Sequence, residues 1–142
     1  MSNSTLEPYL FFGGRCEEAI QFYHSALGAE VEMMMRYNES PQPMPPGSIP
    51  PGFEKKIMHA SIRIGSRRLM VSDGNEEGAK FEGFSLSLSY KTEAEVDKVF
   101  GALAQGGRIG MPLAKTFWSP KFGMVTDRFG VGWMISMDSP TA

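Results

Sequence analysis

A chain of 142 residues that is 42% hydrophobic and 21% charged has the length and apolar content of one globular domain able to bury a core, which excludes the disordered, fibrous and membrane-spanning classes. Lys and Arg number 14 against 16 Asp and Glu, and basic clusters such as Arg67-Arg68 are short, so neither nucleic acid nor a membrane is expected as a partner. A single cysteine, Cys16, rules out an intrachain disulfide, and the polar start MSNSTLEPY lacks the charged-then-apolar form of a secretory signal, which makes a cytoplasmic protein the expectation.

PYLFF, residues 8–12, is a short aromatic-rich run bounded by Pro8 and Gly13-Gly14 and predicts a first strand buried on both faces. RCEEAIQFYHSALG (15–28) sets Cys16, Ile20, Tyr23 and Leu27 at helical spacing, with acids in the first turn and Gly28 to end the helix. AEVEMMMRY (29–37) reads as a strand. SPQPMPPGSIPPG (40–52) holds six of the ten prolines and is excluded from regular structure. KKIMHASIRIG (55–65) and RRLMVSD (67–73) are two strands joined at Gly65-Ser66 as a hairpin, and GNEEGAKFEG (74–83) is a polar linker.

The second half repeats that order. FSLSLSY (84–90) is a strand. TEAEVDKVFGALAQGG (92–107) is a helix in which Thr92 and Glu95 form a capping box and Val96, Val99 and Leu103 share a face. RIGMPLAKTFW (108–118), FGMVTD (122–127) and VGWMIS (131–136) supply three further strands. Leu10, Phe12, Ile20, Tyr23 and Leu27 fall on Leu86, Leu88, Val96, Val99 and Leu103 at one constant offset, and LMVS from Leu69 falls on WMIS from Trp133. The chain is therefore two copies of a strand-helix-strand-strand-strand unit, residues 6–73 and 83–138, in one α+β domain over 1–142, with the Pro-rich insertion 40–52 in the first copy alone.

With EEAIQFYHSALGAE in the first unit and VTDRFGVGWMI in the last, the sequence resembles the vicinal oxygen chelate superfamily of glyoxalases, extradiol dioxygenases and bleomycin-resistance proteins. PYLFFGGRCEEAIQFYHSALGAE and FWSPKFGMVTDRFGVGWMI are similar to its PhnB-like branch, which has no well-established activity. The resemblance covers nearly the whole chain. It implies two βαβββ modules whose sheets curl around a cavity, helices on the outer face, a small-molecule ligand and, often, a homodimer. Metal enzymes of the superfamily take histidine and glutamate ligands from the first and fourth strands of each module. Those four positions map here to Pro8, Met70, Phe84 and Met134, none of which binds a hard divalent cation through its side chain, and a one-residue slip would add only the carboxylate of Glu7. No metal and no cofactor are expected. PhnB-like chains also carry a demethylubiquinone methyltransferase label, but Gly13-Gly14 follows its strand without a G-x-G pattern, so S-adenosylmethionine is not expected to bind.

A mostly apolar cavity is left, with Phe12, Met70, Phe84 and Met134 as lining and Trp118 and Trp133 as aromatic contacts, core packing being the alternative for Trp133. His59, Ser61 and Arg63 share one face of their strand, opposite Met58, Ala60, Ile62 and Ile64, and that face is either cavity or solvent. His59 and Asp73 are the catalytic candidates, weighed against an ordinary hydrogen-bonded histidine and a turn-forming aspartate. Asp127, before Arg128-Phe129-Gly130, is assigned to capping that turn. Cys16 has no visible base beside it, and only Arg63 and Lys121 are at hand for an anion. G-x-S-x-G, H-E-x-x-H and the phosphate-binding Gly-Lys-Ser/Thr loop are all missing. Three functions fit: a metal-independent small-molecule binder, a metal-dependent lyase, isomerase or dioxygenase, and a metal-free enzyme with His59 or Asp73 as general base. The insertion reads as a flap over the cavity, an arm to a second subunit or a plain surface loop, with Met44 and Ile49 as its apolar contacts.

Overall fold

The computed structural model describes residues 4–42 and 45–139, which divide into two compact units between Ala79 and Lys80. The first holds strand β1 (Tyr9–Phe11), helix α1 (Cys16–Leu27) and strands β2 (Glu30–Arg36), β3 (Ile57–Ile64) and β4 (Arg67–Ser72). The second holds β5 (Leu86–Tyr90), α2 (Glu93–Ala104), β6 (Arg108–Ala114), β7 (Phe122–Thr126) and β8 (Gly132–Met137). Each unit is a βαβββ module with one four-stranded sheet, ordered β1-β4-β3-β2 and β5-β8-β7-β6. The first strand pairs with the fourth in parallel, and the other pairings are antiparallel. A parallel pair needs a crossover, which each helix provides.

Helix α1 forms because Cys16, Ala19, Ile20, Tyr23 and Ala26 make one buried stripe, and Gly28 ends it in the left-handed conformation at φ 71°. In α2 the Thr92 hydroxyl accepts from Glu95 N–H, and Val96, Val99, Phe100 and Leu103 are buried. These stripes meet Leu10, Phe12, Ala60, Ile62, Leu69 and Val71 in the first unit, and Val125, Trp133 and Ile135 in the second; all are buried. Gly123 lets α2 approach: a Cβ there would stand 2.8 Å from the Phe100 ring. Strand β6 ends at Ala114, short of the expected Trp118, because the Thr116 hydroxyl accepts from Trp118 N–H and Ser119 N–H and turns the chain.

The insertion springs from two short 3₁₀ turns, Tyr37–Glu39 and Phe53–Lys55. They are tied by Tyr37 N–H to the Lys56 carbonyl at 3.1 Å and by the Arg36 guanidinium to the Lys55 carbonyl at 2.8 Å, and Tyr37 and Phe53 are both buried. Ile49 is half-buried, whereas Met44 lies outside the described residues. Since the anchors flank the insertion rather than belong to it, replacing residues 41–51 with Gly-Ser is expected to change stability by less than about 1 kcal/mol. A loss of several kcal/mol in chemical denaturation would make the segment part of the scaffold.

Candidate ligand-binding face

Ladder register decides which side chains share the sheet face opposite each helix. In the first unit Tyr9 pairs with Met70, Met70 with Ser61, and Ser61 with Met33, while Phe11 pairs with Ser72 and His59 with Met35. Alternation puts Tyr9, Phe11, His59, Ser61, Arg63, Arg68 and Met70 together on the open face. Phe11 is 53% exposed and stacks on Tyr9, ring centroids 5.0 Å apart. The Tyr9 hydroxyl and His59 Nδ1 are 2.9 Å apart, within hydrogen-bonding distance. Partial burial pushes the Tyr9 phenol above its ordinary value, so it remains protonated at neutral pH and able to donate.

The polar end of this face is charge-balanced. A register shift between Val31 and Met33 inserts Glu32, whose carboxylate accepts from Arg63 Nε at 2.9 Å, Arg68 Nε at 2.9 Å and the Ser61 hydroxyl at 3.4 Å. Those bonds, Arg68 first and then Arg63, hold the Glu32 carboxyl below the usual carboxylate range. Arg63 is thus committed to an acid. Lys121 is likewise paired with Glu93 and Asp97.

In the second unit the open face is almost free of charge. Met111 pairs with Met124 and Met124 with Met134, so three methionines follow one another across β6, β7 and β8, and Met134 pairs on with Ser87. Phe122, on the same face, is covered by Trp118, whose ring lies 5.3 Å away and which is 53% exposed.

Several expected site residues move. Phe12, 2% exposed, faces α1 and meets Tyr23 edge-on at 6.2 Å. Trp133, also 2% exposed, is core, and its Nε1–H donates to Asp127 at 2.9 Å. Phe84 precedes β5 and lies edge-on to Phe81 at 6.4 Å. Met70, Met134, Trp118, Arg63 and His59 stay on the open faces. Asp73, the other catalytic candidate, is 1% exposed and accepts from Gly14 N–H at 2.7 Å, Cys16 N–H at 2.8 Å and Ile57 N–H at 2.8 Å. The carboxylate of one strand end thereby caps α1, the charge sitting at the positive end of the helix. It also helps push the buried Cys16 thiol upward, after burial itself, which leaves that sulfur inert. Asp127 does cap its turn, accepting from Phe129 N–H and Val131 N–H.

The metal positions shift on the first strand of each unit, by one residue from Pro8 in the first and by three from Phe84 in the second. Tyr9, not Pro8, shares a face with Met70, and Ser87 shares one with Met134. A protonated phenol, a hydroxyl and two thioethers do not fit a hard divalent cation. Glu7, the remaining acid nearby, lies 3.7 Å from Arg68. Among the described residues no three His, Cys, Asp or Glu side chains converge. Sequence reading missed Tyr9, Phe11, Glu32, Met111 and Met124; counting alternate residues outward from Met70 and Met134 would have found Tyr9 and Phe11.

Two βαβββ modules, each with a helix on one sheet face and ligand-type side chains on the other, define a fold of the vicinal oxygen chelate kind. The chain belongs to the family described as 3-demethylubiquinone-9 3-methyltransferase, whose model matches residues 4–136. It is 38% identical over 138 residues to Protein YjdN of Escherichia coli (strain K12), covering 93% of this chain and 94% of that protein. It is 41% identical to protein PA1353 from Pseudomonas aeruginosa, with a TM-score of 0.83 over 96% of this chain and 98% of the other. A putative 3-demethylubiquinone-9 3-methyltransferase, PhnB protein, from Bacillus cereus is 33% identical, with a TM-score of 0.77 over 94% and 99%. A likeness in fold alone, at 10% identity and a TM-score of 0.68 over 99% and 97%, extends to the fosfomycin resistance protein FosX from Listeria monocytogenes.

The family's description implies S-adenosylmethionine as methyl donor. The residues here do not fit it: the turn between β1 and α1 carries no G-x-G-x-x-G, and its Gly14 and Cys16 N–H groups donate inward to Asp73.

Proposed function

We propose that the protein binds a small, largely apolar molecule without a divalent metal, with Tyr9, Phe11 and Met70 of the first unit as contacts. The observation that carries this reading is the exposed Phe11–Tyr9 stack ending in the Tyr9–His59 pair. Aromatic area for a planar body beside a protonated phenol for one polar contact is the composition of a binding site rather than of an ordinary solvated sheet face. The resemblance to the vicinal oxygen chelate superfamily supports it, since its bleomycin-resistance proteins sequester drugs with shape and aromatics. A homodimer that covers the open faces belongs to the proposal, and a concentration-independent monomer in sedimentation would count against that part of it.

The test is native mass spectrometry of protein taken directly from cells, together with metal analysis. An organic adduct displaced from a Tyr9→Ala/Phe11→Ala variant supports the reading. Purified, undialysed protein is expected to hold well under one equivalent of zinc, nickel, iron or manganese, because the mapped positions lack ligands. Stoichiometric metal that restores activity after chelation would instead establish the metal-dependent lyase, isomerase or dioxygenase.

One observation favours a second reading, metal-free catalysis. The Tyr9–His59 hydrogen bond fixes the imidazole against a phenol on an open face, which is how a general base is oriented. If His59 donates Nδ1–H to the phenol oxygen, Nε2 is left free to take a proton from a ligand. Turnover of the identified ligand that disappears in His59→Ala would establish this reading, and ligand returned unchanged by the wild type would end it.

A further inference from the structure

We propose that the methionine row of the second unit, Met111–Met124–Met134, is a binding site for a soft monovalent cation of the Cu(I) type. Met124 is the direct cross-strand partner of both other residues, so the three side chains leave adjacent strands of one sheet at the same level. Neighbouring partners of this kind have Cβ atoms about 5 Å apart. The methionine sulfur stands about 2.8 Å from its Cβ, so Met111 and Met134 leaning from either side toward a point above Met124 bridge the rest of that spacing with a metal–sulfur bond of roughly 2.3 Å.

The donor set selects the ion. Three thioethers carry no charge, cannot be protonated at any ordinary pH and are soft, which favours Cu(I) and disfavours magnesium, calcium or zinc. Access is open, since Met111 is 44% exposed and Met124 and Met134 are only half-buried. A bulge opens the row further: Gly110 sits beside Met124, where a Cβ would stand 4.0 Å from the Met124 Cβ, and it has no side chain to fill the space. The corresponding row of the first unit, Met33–Ser61–Met70, has a serine in the middle, 8% exposed with its hydroxyl on Glu32. That row lacks the central sulfur, so the first unit serves as an internal control.

Silver(I), which shares the coordination chemistry and undergoes no redox step, is the probe, in chloride-free buffer. Protein carrying ¹³C-methyl methionine is expected to take up one equivalent, with the Met111, Met124 and Met134 methyl signals moving together while Met33 and Met70 stay in place. Met124→Leu conserves volume and apolar character and should fold as the wild type does by circular dichroism. It is expected to bind silver at least about tenfold more weakly. Cys16→Ala removes the chain's one thiol and is expected to bind as the wild type does. The proposal fails if Met124→Leu binds silver unchanged, if Cys16→Ala abolishes binding, or if the three methyl signals do not respond.

Discussion

Asp73→Ala is expected to unfold the first unit or bring it close to unfolding. Its carboxylate is 1% exposed and accepts three backbone N–H bonds, from Gly14 and Cys16 at the start of α1 and from Ile57 at the start of β3. Alanine would leave all three donors, those of Cys16 and Ile57 buried and that of Gly14 partly so, without their acceptor. At roughly 1–3 kcal/mol for each orphaned group, the loss is on the order of 4 kcal/mol or more, a large share of the roughly 5–15 kcal/mol that keeps a domain folded. Asp73→Asn keeps one acceptor oxygen but turns an NH₂ group toward a donor, so it should recover only part of the loss. Urea titration followed by circular dichroism checks the order wild type, Asn, Ala. An Asp73→Ala protein that kept its stability while losing a demonstrated turnover would support this residue as a general base.

Asp73 also shows where reading the sequence stops. The helices were legible because their signals are local: the stripe from Cys16 to Ala26 and the Thr92 cap each lie within a few residues. The strand order followed from the internal repeat, which is a property of the chain alone. A carboxylate satisfied by donors 16, 57 and 59 residues away in the chain leaves no such signal. The open face failed to read for a related reason. The repeat's constant offset carries Tyr9 onto Ser85, yet the ladders make Ser87 the partner of Met134 where Tyr9 is the partner of Met70. Only hydrogen-bond register tells which of two adjacent residues faces the helix. Phe12 and Trp133 therefore read as ligand contacts, with core packing the alternative for Trp133, and Tyr9 and Phe11 were not singled out. Aromatic residues suit both places, and a one-residue shift exchanges every side chain between the two faces.

Gly107→Ala is expected to carry the largest penalty among the glycines of the second unit. The residue stands just before β6, where that strand begins pairing with β7 through Arg108 and Thr126. A Cβ at Gly107 would stand 2.1 Å from the Thr126 carbonyl oxygen and 2.9 Å from both the Cα and the carbonyl carbon of Asp127. These are backbone atoms of the neighbouring strand end, so no rotamer change relieves the contact, and β6 must move away. Moving Asp127 disturbs the acceptor of Phe129 N–H, Val131 N–H and the Trp133 indole, which links the clash to the core beneath. Overpacking of this kind costs typically 1–3 kcal/mol and more when backbone must shift, so about 3 kcal/mol is expected. Gly28→Ala separates this steric effect from simple loss of glycine. Gly28 has φ 71° but nothing within 4 Å of its added Cβ, so strain alone is left, about 1 kcal/mol. Denaturation midpoints of the two variants, read by circular dichroism, should fall in that order. If Gly107→Ala proved no worse than Gly28→Ala, the β6–β7 junction would be loose enough to part, and the Met111 end of the methionine row would share that freedom.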